Sequence, residues 1–296
     1  MAILNLGSLN IDRVFRVSRI VRPGETIACR SLDVFAGGKG ANQSVALAHA
    51  GAQVVHAGKI GPDGRWLLDK LRQSGVDTSA VFEGDSLSGQ AIIQVDDSGQ
   101  NAIVVLGGAN AEITGDDVDR ALDRCPRATW LLVQNETSAV GHAIVRAKER
   151  GLSVALNPAP MDDRVRQYPL ELVDLLCVNQ SEAAALSGKA ELGAIVEWLT
   201  AAFPRCEIVV TLGADGAIHG GPQGKVLSPG RRVTPLDTTA AGDTFLGYYL
   251  ASRSRELSVA ESLDTACRAA ALCVTRPGAL DSIPHRDEVA AFTQMR

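Results

Sequence analysis

The chain has 296 residues, enough for one large α/β domain or two modest ones with a sizeable core. Hydrophobic residues make up 46% and charged residues 21%, an ordinary globular composition, and aromatics at 4% are too few for a base-stacking platform. A net charge of −5 argues against nucleic acid as a partner, because phosphate-backbone binding needs concentrated Lys and Arg.

The opening segment, MAILNLGSLNIDRVF, has no basic stretch followed by an apolar one, and no run of 18 apolar residues occurs anywhere. A leader, a membrane span and a membrane partner are therefore not expected, which places the chain in the cytoplasm. AILNLGSLNI reads as a buried strand ending in a polar loop. Residues 11–36 read as short strands and turns. SVALAHAGA (44–52) reads as a helix of small residues, and VVHAGKIG as a strand. DGRWLLDKLRQSGV carries Trp66, Leu67, Leu68 and Leu71 at helical spacing. QAIIQVDDSGQNAIVVLG has two β-branched runs around Asp-Asp-Ser-Gly-Gln, a hairpin pattern.

From about residue 112 the pattern alternates strictly. Helices over 115–124 and 138–150 precede the strands TWLLVQN and LSVALNPAP. The strand VDLLCVN leads into SEAAALSG, and a helix over 192–202 precedes CEIVVTLGADG. Residues 241–275 read as two helices. Near-continuous apolar strands alternating with helices predict an α/β fold: a mainly parallel central sheet covered on both faces. Residues 11–36 and 88–106 interrupt that rhythm, and are expected to form a small β-sheet lid on a single domain spanning 1–296. The alternative is that these strands simply extend the main sheet.

Six cysteines lack any Cys-x-x-Cys pairing, and five histidines lack metal-ligand spacing. Reduced thiols and no histidine-based metal site are the expectation.

In open α/β sheets ligands sit beyond the carboxyl ends of the strands. AGGKGANQ (36–43) follows an extended run and opens a helix. It lacks the third glycine of a dinucleotide fingerprint, and none of the four Gly-Lys pairs has P-loop spacing. Lys39 and Asn42 offer the mixed donors and acceptors that polyol hydroxyls want, though a plain strand–helix turn would look the same. Ala240-Ala241-Gly242-Asp243 stands where a helix begins. Small side chains there leave first-turn N–H donors open to a phosphoryl group, and Asp243 could take a proton from a hydroxyl beside it. The competing reading of Asp243 is a helix cap without chemistry. Asn179 and Glu182, three apart at a strand end, suit either hydrated Mg²⁺ and phosphates or another cap. TLGADG (211–216) is shaped to clasp a nucleotide.

GGKGANQ (37–43) and DTTAAGDTF (237–245) together resemble the two signature motifs of the ribokinase-like sugar kinases, also called PfkB carbohydrate kinases. GSLNID, PGET, NPAP and VTRPGALDSIP fall in the order that family shows, so the resemblance covers essentially the whole chain. It implies a three-layer α/β/α fold with a small β-sheet lid. It also implies ATP-dependent phosphorylation of D-ribose at the 5-hydroxyl; deoxyribose, fructose, a nucleoside, or a non-catalytic sugar-binding role remain as alternatives. By resemblance, Asp243 is the base and Gly242, with Ala241 and Ala240, the anion hole. Asn10, Asp12, Gly38, Lys39, Gly40, Asn42 and Glu136 match the sugar contacts. Asn179, Thr211, Gly213, Ala214, Asp215, Gly216 and Cys267 match the nucleotide side, Cys267 replacing a frequent asparagine near adenine. Glu182 matches the Mg²⁺ motif. Asp237, Thr239, Cys273, Arg276, Gly278 and Ser282 match a K⁺ site formed mostly by backbone carbonyls. The resemblance further implies a homodimer clasped through the small sheets.

Overall fold

The computed structural model describes residues 2–222 and 224–292, so that Met1 and residues 293–296 of the expected domain lie outside the described residues. In chain order these residues form β1 (Ala2–Leu6), β2 (Asn10–Arg16), β3 (Ser31–Gly37), α1 (Lys39–His49), β4 (Gln53–Ile60), α2 (Arg65–Gln73) and β5 (Asp77–Glu83). The small-sheet hairpin follows as β6 (Gly89–Val95) and β7 (Asn101–Leu106). Next come α3 (Gly115–Arg124), β8 (Ala128–Gln134), α4 (Val140–Glu149), β9 (Ser153–Asn157), β10 (Leu175–Asn179), α5 (Gln180–Ser187), α6 (Leu192–Ala202) and β11 (Glu207–Thr211). The chain closes with β12 (Gly216–Gly220), β13 (Val226–Pro229), α7 (Ala241–Arg253), α8 (Val259–Cys273) and α9 (Arg286–Ala291).

Nine strands form the large sheet in the order β13-β12-β11-β10-β9-β8-β1-β4-β5, parallel from β11 through to β5. Strand order reverses at β1, whose neighbours are β4 on one side and β8 on the other. Such a switch point opens a crevice at the carboxyl ends of the strands. One apolar layer joins α1, α2, α7, α8 and α9 to one face of the sheet through residues such as Val45, Leu67, Tyr248 and Leu263. The other joins α3, α4, α5 and α6 to the opposite face through Val118, Ile144, Leu186 and Leu199. The three-layer architecture is thus as expected.

The small sheet expected from residues 11–36 and the 90–106 hairpin is separate, with order β3-β2-β6-β7. Its hairpin turn closes as the sequence suggests. Asp96 Oδ1 accepts from the Ser98 and Gln100 N–H groups, and Gly99 takes a φ of 82°. The alternative in which these strands join the main sheet is therefore excluded.

Helix α1 begins at Lys39, inside the 36–43 stretch expected to open a helix and ahead of the apolar run at 44–52, and its first turn is held by acceptors from distant loops. Two expectations need correction. The alternation is not strict: β9 and β10 are joined by short 3-10 turns at 165–167 and 170–172 and not by an α-helix. TLGADG leads into an antiparallel edge hairpin, β12 and β13, not anticipated in a Gly-rich stretch.

Helices α1 and α7 approach very closely. A Cβ placed on Gly247 would stand 2.4 Å from Ala46 Cβ, closer than two carbons can come. Gly247 lies one turn beyond Asp243, and Ala46 lies three residues beyond Gln43. The small pair lets the two helices bring their first turns together. Among the described residues, no helix is long and apolar enough to cross a membrane.

Candidate active site

Helix N-termini carry N–H groups that need acceptors. In α3, α5, α8 and α9 these are met by local capping boxes, such as Thr114 with Asp117 and Ser258 with Glu261. Helix α1 has no side-chain cap, yet its donors are satisfied from elsewhere. Glu136 Oε2 accepts from Lys39 N–H at 2.9 Å, Ser8 Oγ from Gly40 N–H at 3.1 Å, and Ser8 O from Ala41 N–H at 3.0 Å. Ser8 in turn donates its hydroxyl to Glu136 Oε2 at 2.5 Å. Gly40 has no room for a side chain, since a Cβ would lie 2.3 Å from Ser8 N and 2.5 Å from Gly7 Cα.

Helix α7 differs. Ala240 takes a left-handed φ of 60° and supplies no side-chain cap. Ala241 N–H is taken by Thr238 O and Thr244 N–H by Ala240 O. Among the described residues, Gly242 and Asp243 N–H are left facing the positive end of the helix dipole without an acceptor. A Cβ on Gly242 would meet nothing within 4 Å, so the space in front of this turn is open.

Asp243 itself is buried, and each carboxylate oxygen receives one amide from α1. Asn42 Nδ2 donates to Oδ2 at 2.9 Å and Gln43 Nε2 to Oδ1 at 2.8 Å. Asn42 Oδ1 is left buried without a partner, an acceptor suited to a ligand hydroxyl. Lys39 is held above its usual range by the charge of Asp243, against the opposing effect of burial, with Glu136 and Glu182 adding to it. Four charged groups predicted from separate stretches of sequence thus share one electrostatic neighbourhood.

The small sheet adds a fifth charged group, Asp12, and the amide of Asn10. Burial pushes the Asp12 carboxyl up to about 7, and the nearby charge of Glu136 adds to this. Gly37, diagonally across on β3 and paired with Asn10, leaves the room that carboxylate occupies, since a Cβ there would stand 2.0 Å from Asp12 Oδ2. Asn10 Oδ1 accepts from Asn110 Nδ2 at 2.8 Å, and Asn110 Oδ1 accepts from Leu9 N–H at 3.0 Å. Gly38, with φ 95°, makes the turn from β3 into α1.

On the other side of Gly242 lies an apolar cavity of about 580 Å³. Thr211, Gly213, Ala214, Gly216, Ala241, Gly242 and Cys267, all predicted, line it together with Phe245, Val233 and Arg231. Cys267 is buried and its thiol is raised by that burial. Asn179 lines an adjoining open cleft that shares Thr211 and Gly213 with the cavity. Asp215 sits in the 3-10 turn at 213–215 and lines neither. Asn179 and Glu182 form the capping box of α5, with Asn179 Oδ1 accepting Glu182 N–H at 2.8 Å and Glu182 Oε2 accepting Asn179 N–H at 2.9 Å. The cap reading of this pair is therefore correct locally. Glu182 is nonetheless electrostatically coupled to Lys39 and Asp243, and burial raises its carboxyl.

The residues matched to a cation site also come together. Asp237 Oδ1 accepts from Thr239 N–H at 2.9 Å and Oδ2 from Gly278 N–H at 3.0 Å. Burial pushes that carboxyl up, but these hydrogen bonds outweigh it and hold it below its ordinary value. Cys273 Sγ lies 3.1 Å from Ser282 Oγ and donates to Thr239 O at 3.7 Å. The Arg276 side chain turns away into an ion pair with Glu288, leaving only its backbone for this region.

With this geometry in hand, the comparisons are direct. Residues 2–286 match the pfkB family carbohydrate kinase pattern. The chain belongs to the pfkB family of carbohydrate kinases. It is 35% identical over 298 residues to the ribokinase of Haemophilus influenzae, covering 98% of this chain and 97% of that one. The solved structure of Cryptococcus neoformans ribokinase in complex with ADP superposes with a TM-score of 0.85 at 33% identity, covering 98% of both chains. That of Arabidopsis thaliana ribokinase complexed with ribose and ATP gives 0.87 at 26% identity, covering 98% of this chain and 99% of that one. The protein is a ribokinase-family, ATP-dependent sugar kinase.

Sequence reasoning gave no role to Ser8, Gln43, Asn110, Asn157 and Arg231. Ser8, Gln43 and Asn157, whose Oδ1 accepts from Gln43 Nε2 at 3.1 Å, stand inside GSLNID, GGKGANQ and NPAP. Asn110 and Arg231 carry no such signal and reach the site only in the folded chain.

Proposed function

We propose that the enzyme transfers the γ-phosphoryl group of ATP to the 5-hydroxyl of D-ribose. One observation carries this reading: a buried carboxylate, Asp243, stands at a helix start whose Gly242 and Asp243 N–H donors are open, between a polar pocket and an apolar nucleotide-sized cavity. Asn10, Asp12, Lys39, Asn42 and Glu136 orient the sugar, their mixed donors and acceptors suiting a free pentose better than the apolar base of a nucleoside. Asp243 takes the proton of the 5-hydroxyl as that oxygen bonds to the γ-phosphorus. The bond to the β–γ bridging oxygen breaks, and ADP leaves. Gly242 and Asp243 N–H groups, backed by the α7 dipole, receive the charge on the phosphoryl oxygens, and Lys39 adds a fixed positive charge.

Mg²⁺ entering with ATP would neutralise charge on the phosphates, and Glu182, with one carboxylate oxygen beyond its cap, would hold the water shell of that ion. K⁺ would be held by Asp237 with backbone oxygens of Thr239, Cys273, Arg276 and Gly278 and the hydroxyl of Ser282, and would order the loop before α7. Asn179, Thr211, Gly213, Ala214, Asp215, Gly216 and Cys267 flank the nucleotide. We read the chain as one domain whose small sheet, from 11–36 and 88–106, closes over the sugar. Six free cysteines, five of them buried, suit the reducing cytoplasm.

A coupled ADP-release assay over pentoses, hexoses and nucleosides, with K⁺ or Na⁺ as the monovalent ion, tests the assignment. D-Ribose should give the highest kcat/KM, and K⁺ should raise the rate. A higher value for deoxyribose, fructose or a nucleoside would replace the substrate. Equal rates in both salts would remove the cation site, and no sugar-dependent turnover would leave a sugar-binding regulator.

The homodimer is a second part of the proposal. Register places Val34, Arg13, Ile92 and Val104 in one row across the small sheet, on the face opposite Asp12. Val104 is 67% exposed, and Leu32, Val34, Ile92 and Leu106 on the same face are exposed too. Exposed apolar residues on both sides of the Arg13–Gln90 pair, on one face of a four-stranded sheet, suit a second copy of the same face. Sedimentation equilibrium should return twice the chain mass, and Val104→Lys with Val34→Lys should return a monomer. A monomeric wild type would exclude the clasp.

A further inference from the structure

We infer that Gln43 is a positioning residue for Asp243, and that Gln134 fixes the direction in which it works. This inference rests on the kinase reading above.

Gln43, Gln134 and Asn5 are fully buried at the centre of the molecule, on α1, β8 and β1. Burying an amide is costly unless its hydrogen bonds are made inside the protein, and all those of the three are made except at Gln134 Oε1, which has no partner. Their bonds form a directed chain. Gln134 Nε2 donates one hydrogen to Asn5 Oδ1 at 2.9 Å and the other to Gln43 Oε1 at 2.7 Å. Gln43 Oε1 is thereby fixed as an acceptor, and its amide nitrogen must face the other way. That nitrogen donates to Asp243 Oδ1 at 2.8 Å and to Asn157 Oδ1 at 3.1 Å.

Asn5 is fixed in the same manner. Its Nδ2 donates to Gly40 O and to Ser44 Oγ, both at 2.8 Å. Ser44 Oγ and His56 Nδ1 share a further hydrogen bond at 2.8 Å. Burial pushes His56 down to about 4, so this ring is neutral at working pH. From Asn5 to the carboxylate the network has one consistent polarity.

The consequence lies at Asp243. With Asn42 on one oxygen and Gln43 on the other, the plane of the carboxylate is fixed. Each oxygen keeps a second lone-pair direction, and one of these is where a substrate hydroxyl must present its proton. A base held in one orientation needs no rearrangement as the proton moves. Errors of about 1 Å in such placement cost on the order of 100-fold in rate.

The test measures kcat and the KM values for wild type, Gln43→Met and Gln134→Met. Methionine keeps length and bulk but removes the donors. Gln43→Met should lose about 10- to 100-fold in kcat, with KM for sugar and ATP changing less than about threefold. Gln134→Met, which touches neither substrate nor Asp243, should show the same split between kcat and KM but a smaller loss. Thermal melting and sugar binding by calorimetry establish that each variant is folded. An unchanged kcat in folded Gln43→Met would overturn the inference, as would a loss confined to KM. If that variant does not fold, an unchanged kcat in Gln134→Met overturns it instead. Wild-type enzyme without sugar-dependent turnover would overturn the kinase reading as well, whereas normal wild-type turnover with unaffected variants would sink this inference alone.

Discussion

Asp243→Asn is expected to lower kcat by about 10²- to 10⁴-fold while sugar and ATP still bind. The substitution keeps size and shape but removes the proton acceptor. It also exposes how tightly the carboxylate is specified. Both of its oxygens receive amide N–H groups, from Asn42 and from Gln43. An asparagine has only one oxygen, so its own NH₂ must face one of those two donors whichever way it turns. The variant should therefore also lose stability, by roughly 1–3 kcal/mol for a buried donor without an acceptor. Calorimetric titration of sugar and nucleotide, with single-turnover kinetics on the same preparation, separates the two effects. Wild-type turnover in a folded Asp243→Asn protein would remove Asp243 as the base.

How much of this could be read from the chain depends on the range of the interactions involved. Helices α3 and α6 were legible at 115–124 and about 192–202 because local apolar periodicity marks them, and α3 also carries its own capping box, Thr114 with Asp117. The start of α1 was legible only from the glycine motif at 36–43, not from periodicity. Residues 39–43, Lys-Gly-Ala-Asn-Gln, carry no apolar stripe, and the acceptors for their first N–H groups come from Ser8 and Glu136, 32 residues from Gly40 and 97 from Lys39. Likewise, Asp12 and Glu136 are neighbours only because the chain leaves the main sheet after β1 and places β2, in the small sheet, near the loop that follows β8, a relation between segments more than a hundred residues apart. The edge hairpin β12–β13 was hidden by glycines, whose presence reads as loop. The short motifs fared better. Each placed its residues at a strand end or a helix start, which is where a parallel sheet gathers its ligands. What the motifs could not reveal was the support beneath them: Gln134, Asn5 and Asn110 look like unremarkable polar residues in or near strands.

The contrast between the starts of α1 and α7 gives those motifs a physical division of labour. Both helices begin at the switch point and pack through Ala46 and Gly247. The donors of α1 are consumed by Ser8 and Glu136, so that turn is a rigid mount for Lys39, Asn42 and Gln43. The donors of α7 are left for a ligand. One glycine-rich turn is therefore constrained from inside the protein and the other from outside it.

That distinction makes Gly242→Ala the second informative experiment. At Gly40 a side chain would strike backbone, and any replacement there confuses folding with function. At Gly242 a Cβ meets nothing within 4 Å and the backbone is not in the left-handed region. The protein should accept alanine without loss, and its stability should stay level or rise by up to about 1 kcal/mol, since alanine in a helix loses less backbone entropy than glycine. Activity should move the other way. A methyl group in the open space before the α7 turn competes with the phosphoryl oxygens for the Gly242 and Asp243 N–H groups. Loss of one such donor typically costs about 10²- to 10³-fold in kcat. The signature is a melting temperature at or above wild type together with a kcat at least tenfold lower, a pair of results that a structural glycine cannot produce. A variant as active as wild type would mean that nothing approaches this turn during the reaction, and the anion hole would have to be sought elsewhere. If stability fell together with activity, the glycine would be required by the fold, and the openness of the turn would carry no functional weight.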